Sequence, residues 1–217
     1  MYFDGSDVGI TSDVDAFALM SDGTILLSLD ADGTVTGFGT VDDSDIIRFT
    51  PTSLGASTTG TFTWYFDGSD VGLTTTAEDI DAIGFAPDGK LVISTAGAFS
   101  VTGASGNDED LTSFNATALG STTSGTWSLY FDGSDVGLNE ATSEQINGIW
   151  IDATNGKIYL TTIGAFSVTG VTGNGSDIFI CTPGTLGATT TCTYSSYWLG
   201  ASNGFSGEIT DGIHIIR

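Results

Sequence analysis

Tyr65-Phe66-Asp67-Gly68-Ser69-Asp70-Val71-Gly72 decides the reading of this chain, because it occurs more than once. The same eight residues begin at Tyr2 and at Tyr130, and a decayed copy, Tyr-Trp-Leu-Gly-Ala-Ser-Asn-Gly, begins at Tyr197. After each copy comes a run of alternating apolar residues. These runs are Asp13-Val14-Asp15-Ala16-Phe17-Ala18-Leu19, Asp79-Ile80-Asp81-Ala82-Ile83-Gly84-Phe85, Gln145-Ile146-Asn147-Gly148-Ile149-Trp150-Ile151 and Ile209-Thr210-Asp211-Gly212-Ile213-His214-Ile215. Self-similarity at a fixed period marks a repeat architecture.

Within one period the alternation has period two, the signature of strands. In the second repeat the strands read Asp81–Phe85, Leu91–Thr95, Leu111–Phe114 and Thr126–Phe131. A Gly-rich loop separates the second from the third. Pro87-Asp88-Gly89 makes a tight turn between the first two, matched by Ser21-Asp22-Gly23 and Thr154-Asn155-Gly156. Asp-Gly and Asn-Gly supply the positive φ of a hairpin turn. No stretch has a sustained helical period, and 31 Gly disfavour helix further.

The expected fold is therefore all-β, with tandem four-stranded antiparallel blades like those of a β-propeller. The first strand supports this with one large face (Phe17, Leu19; Ile83, Phe85; Ile149, Ile151) and one small face (Ala16, Ala18; Ala82, Gly84). Small residues suit the crowded axis of a propeller. A β-solenoid or a row of separate sheets is the rival. The expected organisation is 1–12 as the end of a preceding blade, 13–78, 79–144 and 145–208 as full repeats, and 209–217 as the first strand of a split fourth. Three full repeats fall short of the usual four to eight blades. Chains are thus expected to associate with copies of themselves through their end strands, around Tyr2-Phe3 and Ile213–Ile216, as a two-chain ring or a filament. Polar residues from Asp4 onward form no signal-peptide pattern, so a mature or excised fragment is expected.

The repeat resembles a group of uncharacterised bacterial extracellular repeats of β-propeller type. They carry the same Tyr-Phe-Asp-Gly-Ser-Asp-Val-Gly-Leu signature followed by an Asp-Ile-Asp-Ala strand. The resemblance implies an extracellular repeat protein but no activity. The copy at Tyr197 departs from it, with Leu199 and Ser202 where the others have Asp.

Charge narrows the function. The 217 residues hold 27 acids and 4 Lys or Arg, a formal charge of −23. With no cationic patch to neutralise phosphates, nucleic-acid binding is excluded as a reading. No apolar run reaches 18 residues, so no helical membrane insertion is expected. One His and two Cys leave little for zinc sites or His-based triads.

Of the acids 22 are Asp, the residue of turns and of calcium loops. Alternating strand directions put many of them on one rim. Asp4, Asp7, Asp13, Asp15 and Asp45 share an end, as do Asp67, Asp70, Asp79, Asp81 and Asp110; the third group is Asp132, Asp135, Glu144, Asn147 and Asp177. Crowded carboxylates repel, and four basic residues cannot neutralise them. Ca²⁺ can, since it takes six to eight oxygens. The competing reading makes these Asp residues turn and cap formers that bond their own backbone. Asp30-Ala31-Asp32-Gly33 opens like an EF-hand loop, but Val41 stands where its Glu belongs.

The acids recur in every repeat, which points to structure rather than to one active site, so the chain is read as not an enzyme. The leading expectation is a non-catalytic, secreted module for adhesion or a surface filament, stabilised by calcium. The alternative is a lectin-like, carbohydrate-binding propeller with Trp64 and Trp150 as the candidate ligand platform; a carboxylate-based glycoside hydrolase is the weaker one. Cys181 stands in the column of Phe49 and Phe114, and Cys192 in that of Gly60 and Gly125. The paired change in one repeat predicts a cross-strand disulfide and an extracellular location.

Overall fold

A computed structural model describes residues 1–139 and 142–216. Residues 140–141 of the second repeat and residue 217 at the end of the fourth lie outside the described residues. The first unit holds β1 (Val14–Leu19), β2 (Ile25–Leu29), β3 (Gly33–Val35), β4 (Gly39–Val41), β5 (Ile46–Ser53) and β6 (Thr59–Phe66). The second holds β7 (Ile80–Phe85), β8 (Leu91–Thr95), β9 (Phe99–Val101), β10 (Ala104–Gly106), β11 (Leu111–Ala118) and β12 (Ser124–Phe131). The third holds β13 (Ile146–Ile151), β14 (Ile158–Thr162), β15 (Phe166–Val168), β16 (Val171–Gly173), β17 (Ile178–Thr185) and β18 (Thr191–Trp198). Each unit is one antiparallel sheet, in the orders β1-β2-β5-β6, β7-β8-β11-β12 and β13-β14-β17-β18. The tight turns fall where Asp-Gly and Asn-Gly stand, with φ of 84°, 84° and 72° at Gly23, Gly89 and Gly156.

The Gly-rich stretch between the second and third sheet strands is not a bare loop. It folds as a separate small hairpin in every unit, β3–β4, β9–β10 and β15–β16. Its strands have three residues each, too short to display the alternation that announces a strand.

The cores lie between units. β7 packs against both β1 and β13. The small face of one first strand meets the large face of the next: Ala16 and Ala18 share a cluster with Ile83, and Ala82 shares one with Ile149 and Ile151. A Cβ on Gly84 would stand 2.9 Å from Ile149 Cδ1, so the absence of a side chain sets this close approach. Fully burying one such Ile contributes about 1.5–3 kcal/mol, so the units hold one another together.

The chain ends depart from expectation. Neither Tyr2-Phe3 nor Ile213–Ile216 forms a strand. The C-terminal segment is not a bared apolar edge, because Ile213 is buried with Tyr159, Ile178 and Ile180 of its own chain. Gly212 N–H donates to Asn147 O at 3.2 Å. Gly212 has φ +80°, and a Cβ there would stand 2.6 Å from Phe17 Cε1. The segment thus threads between the third unit and β1 on a glycine. At the other end Tyr2 O accepts Gly55 N–H at 2.9 Å, and Phe3 packs edge-on against Phe49 at 5.2 Å.

Cys181 and Cys192 form a disulfide across β17 and β18, with Cα atoms 5.3 Å apart. The structure explains why both positions changed together. A Cβ on Gly60 would stand 2.4 Å from Phe49 Cζ, and one on Gly125 would stand 2.5 Å from Phe114 Cζ. In the first two units a Phe ring lies over a glycine; in the third the bridge fills that space. We expect Cys181→Phe with Cys192→Gly to keep the fold in reductant, whereas reduction alone lowers the wild-type unfolding free energy by roughly 2–3 kcal/mol. Denaturant titration with and without reductant checks this, and an unchanged wild-type midpoint would contradict it.

Candidate functional site

The signature forms a turn with a single 3₁₀ turn inside it, Ser6–Val8, Ser69–Val71 and Ser134–Val136, each ended by a left-handed glycine. Its two acids form a clamp on the hairpin tip of the following unit. Asp4, Asp67 and Asp132 donate their backbone N–H to Thr58, Thr123 and Thr190 Oγ1, each at 2.9 Å. The same Thr residues donate N–H to Asp7, Asp70 and Asp135 Oδ2, at 2.9, 2.7 and 2.9 Å. The first acid also accepts the hydroxyl of Ser6, Ser69 or Ser134 at Oδ1.

Asp45, Asp110 and Asp177 open the third sheet strand of each unit. Their Oδ1 accepts Gly68, Gly133 or Gly200 N–H at 3.0, 2.8 and 2.9 Å. Their Oδ2 accepts the N–H three residues before, at 2.8, 2.8 and 3.1 Å. Burial pushes Asp45 up to about 6 despite those two donors, and pushes Asp110 upward in the same way. These contacts support the turn-and-cap reading for Asp4, Asp7, Asp45, Asp67, Asp70, Asp110, Asp132, Asp135 and Asp177. The signature acids clamp the tip of the next unit's outer hairpin.

The remaining acids gather elsewhere. β1, β7 and β13 each break register with their partner at the third residue of the run, between Val14 and Ala16, Ile80 and Ala82, and Ile146 and Gly148. The bulged residues are Asp15, Asp81 and Asn147, and a bulge re-aims its side chain. The three first strands are mutually packed. Asp15 interacts electrostatically with Asp79, Asp81, Asp13 and Asp30. Gln145 Nε2 donates to Asp81 Oδ2. Asp211 of the C-terminal segment joins this group by charge with Asp15 and Asp81.

Burial raises Asp15, Asp79, Asp81 and Asp211, and the neighbouring acids raise Asp79 and Asp211 further. Asp79 reaches about 8 and Asp211 about 7. Asp81 is raised by burial and by Asp15, against the lowering donor from Gln145. Among the described residues, no set of three acid, His or Cys side chains is arranged to hold a metal. Asp211 was legible as a member, since it occupies the column of Asp15 and Asp81. Glu144 was among the third group's acids, whereas Glu78 gave no signal in the sequence. Both are buried and accept N–H bonds from the small hairpin of their unit, at Ser100 (3.0 Å) and Ser167 (2.9 Å).

Trp64 and Trp150 are not brought together. Trp64 packs on Phe38 at 5.3 Å in the first unit, and Trp150 packs edge-on against Tyr159 at 5.1 Å in the third. Trp150 also lines a cleft of about 450 Å³ with Tyr65, Pro87, Ile213 and His214. The fourth-strand aromatics serve packing: Phe62 lies 5.0 Å from Phe49, Trp127 lies 4.7 Å from Phe114, and Tyr194 lies 5.8 Å from Phe179. No family model matches the chain, and neither a curated protein nor a solved structure is significantly similar to it.

Proposed function

We propose that the chain is a non-catalytic, secreted repeat module of propeller-like blades, serving adhesion or a surface filament and stabilised by calcium. The clamp made by the repeated signature carries this reading. Asp67, Asp70 and Thr123 and their counterparts spend their polar atoms on joining one unit to the next, which is what an assembly element needs. The disulfide suits an oxidising, extracellular setting. The resemblance to bacterial extracellular repeats points the same way.

A second copy of the chain is the partner in this reading. Leu73 and Leu138, at the end of the signatures that begin at Tyr65 and Tyr130, are 0% exposed beneath the following unit, while their counterpart Phe205 is 49% exposed. Tyr197, whose counterparts Tyr65 and Tyr130 are half-buried, is 48% exposed, and Leu199 is exposed beside it. The end of the third unit therefore offers the face on which the earlier units seat a neighbour. An exposed apolar patch of this kind marks an interaction surface.

Light scattering across a wide concentration range should show association that Phe205→Asp with Tyr197→Asp removes. A monomer at every concentration argues against the assembly reading. The carbohydrate alternative rests on the cleft beside Trp150, Tyr65 and His214, and a glycan array reads it directly. Saturable glycan binding lost in Trp150→Ala would favour it. Hydrolysis has the least support, because Asp79 and Asp81 are 9% and 5% exposed and a glycosidic bond must reach both acids of a pair.

A further inference from the structure

We propose that the exposed end of the third unit pairs with the same face of a second copy, so that Tyr197, Leu199 and Phe205 join two chains face to face in a closed dimer rather than in a head-to-tail series. This rests on the assembly reading above and gives it a geometry.

Each internal junction has two halves, a signature and the hairpin tip that it grips. Tyr65 O accepts Gly120 N–H at 2.9 Å, and Tyr130 O accepts Gly187 N–H at 2.8 Å. At the first unit the chain supplies both halves itself. Tyr2 O accepts Gly55 N–H at 2.9 Å, and Asp4 and Asp7 hold Thr58. Ile10, in the column of Leu73 and Leu138, is buried in one cluster with Val35, Val41 and Phe49. The first unit therefore keeps no open seat for the tail of another copy.

The signature at Tyr197 is not built to grip a tip either. The clamp takes its carboxylates from the third and sixth positions, where Leu199 and Ser202 stand. The turn itself survives without them. Asp177 Oδ1 accepts Gly200 N–H, Phe205 N–H donates to Gly200 O at 3.0 Å, and Asn203 Nδ2 donates to Leu199 O at 2.8 Å. The fourth copy thus keeps the shape of the signature and replaces its polar clamp with apolar surface.

Charge selects what that surface can meet. Residues 178–207 hold no Asp, Glu, Lys, Arg or His, a run of 30 in a chain whose other charge-free runs reach at most 21, at 111–131. An Asp at position 199 would end the run at 21 as well. Exposed Glu208 stands just beyond it. Two copies that each carry −23 repel over most of their surfaces, and a face without charge is where they can approach. A basic partner would favour the acidic surfaces instead, and a sugar would find no hydrogen-bonding group on the side chains of Leu199 and Phe205. An apolar face meeting its own copy is self-complementary, as a two-fold contact requires.

Sedimentation equilibrium of the full chain over a wide concentration range reads the geometry. We expect the mass to level off at two chains. Leu199→Asp, labelled and added in trace to the unlabelled wild type, separates the two arrangements. This variant should fold, because the other three signatures carry Asp at that position, and a thermal scan checks it. In a face-to-face pair the change enters once in the mixed pair and twice in the variant's own pair. The mixed pair should then bind roughly tenfold more weakly than the wild type, and the variant's own pair about a hundredfold. Head-to-tail docking would leave the variant's first unit free to take a wild-type tail, so the mixed pair would form at near wild-type strength. That result, or a mass that climbs past two chains, would overturn the face-to-face geometry and leave the assembly reading intact. A monomer at every concentration would overturn both.

Discussion

Asp110→Ala should lower the unfolding free energy by about 4 kcal/mol. Its carboxylate is buried and accepts Gly133 N–H at 2.8 Å and Asn107 N–H at 2.8 Å. Removal leaves the buried Gly133 N–H and the partly buried Asn107 N–H without an acceptor, the first at the upper end of about 1–3 kcal/mol and the second at the lower. Gly133→Ala should do comparable damage by a different route. Gly133 has φ −67°, which any residue adopts, so backbone conformation is not the reason. A Cβ there would stand 2.2 Å from Glu109 O, and backbone cannot move aside cheaply. At roughly 2–4 °C per kcal/mol, each change should lower the melting temperature by about 10 °C. Asp132→Ala is the control, because its side chain only accepts from its own exposed turn. Thermal scans in one buffer decide the matter. An Asp110→Ala midpoint as high as that of Asp132→Ala would mean the two bonds contribute little.

The fold was legible where chemistry repeats. The turn glycines, the four sheet strands and the small-against-large faces of the first strands all follow from residues that recur in register. The small hairpins were not, because three residues such as Phe99-Ser100-Val101 are too few to alternate visibly. The acids were legible as a group and not as a geometry. Asp70 and Asp81 look alike in the sequence, but one bonds a backbone N–H of the next unit and the other sits on a bulge among its own kind. Only the pairing registers separate them. The disulfide was legible because a Phe-over-Gly pair changed at both members at once. The docking of Ile213 was not, since nothing local says that Gly212 lets the segment pass beside Phe17.

Stability should fall as pH rises, the reverse of acid denaturation. For a carboxyl raised by folding, the folded chain holds its proton over a range in which the unfolded chain has lost it. The unfolded chain therefore binds fewer protons, and stability declines with pH across that range. The decline begins near the ordinary carboxyl value, 3.8 for Asp, and for Asp79 it ends at about 8. Asp211 completes its share at about 7 and Asp45 at about 6. Glu78 works the other way: its three N–H donors and the Thr75 hydroxyl outweigh burial and hold it below 4.5, so its contribution is lost only in acid. These windows overlap, so the melting temperature should fall continuously as pH rises through them. Self-repulsion of a chain with formal charge −23 acts in the same direction. In chelator, the midpoint at pH 5 should lie well above that at pH 8.5. Asp79→Asn should flatten the slope, because it removes the group whose window reaches highest. A midpoint that is constant or rises between those two pH values would show that the clustered carboxyls ionise in the folded chain as freely as in the unfolded one.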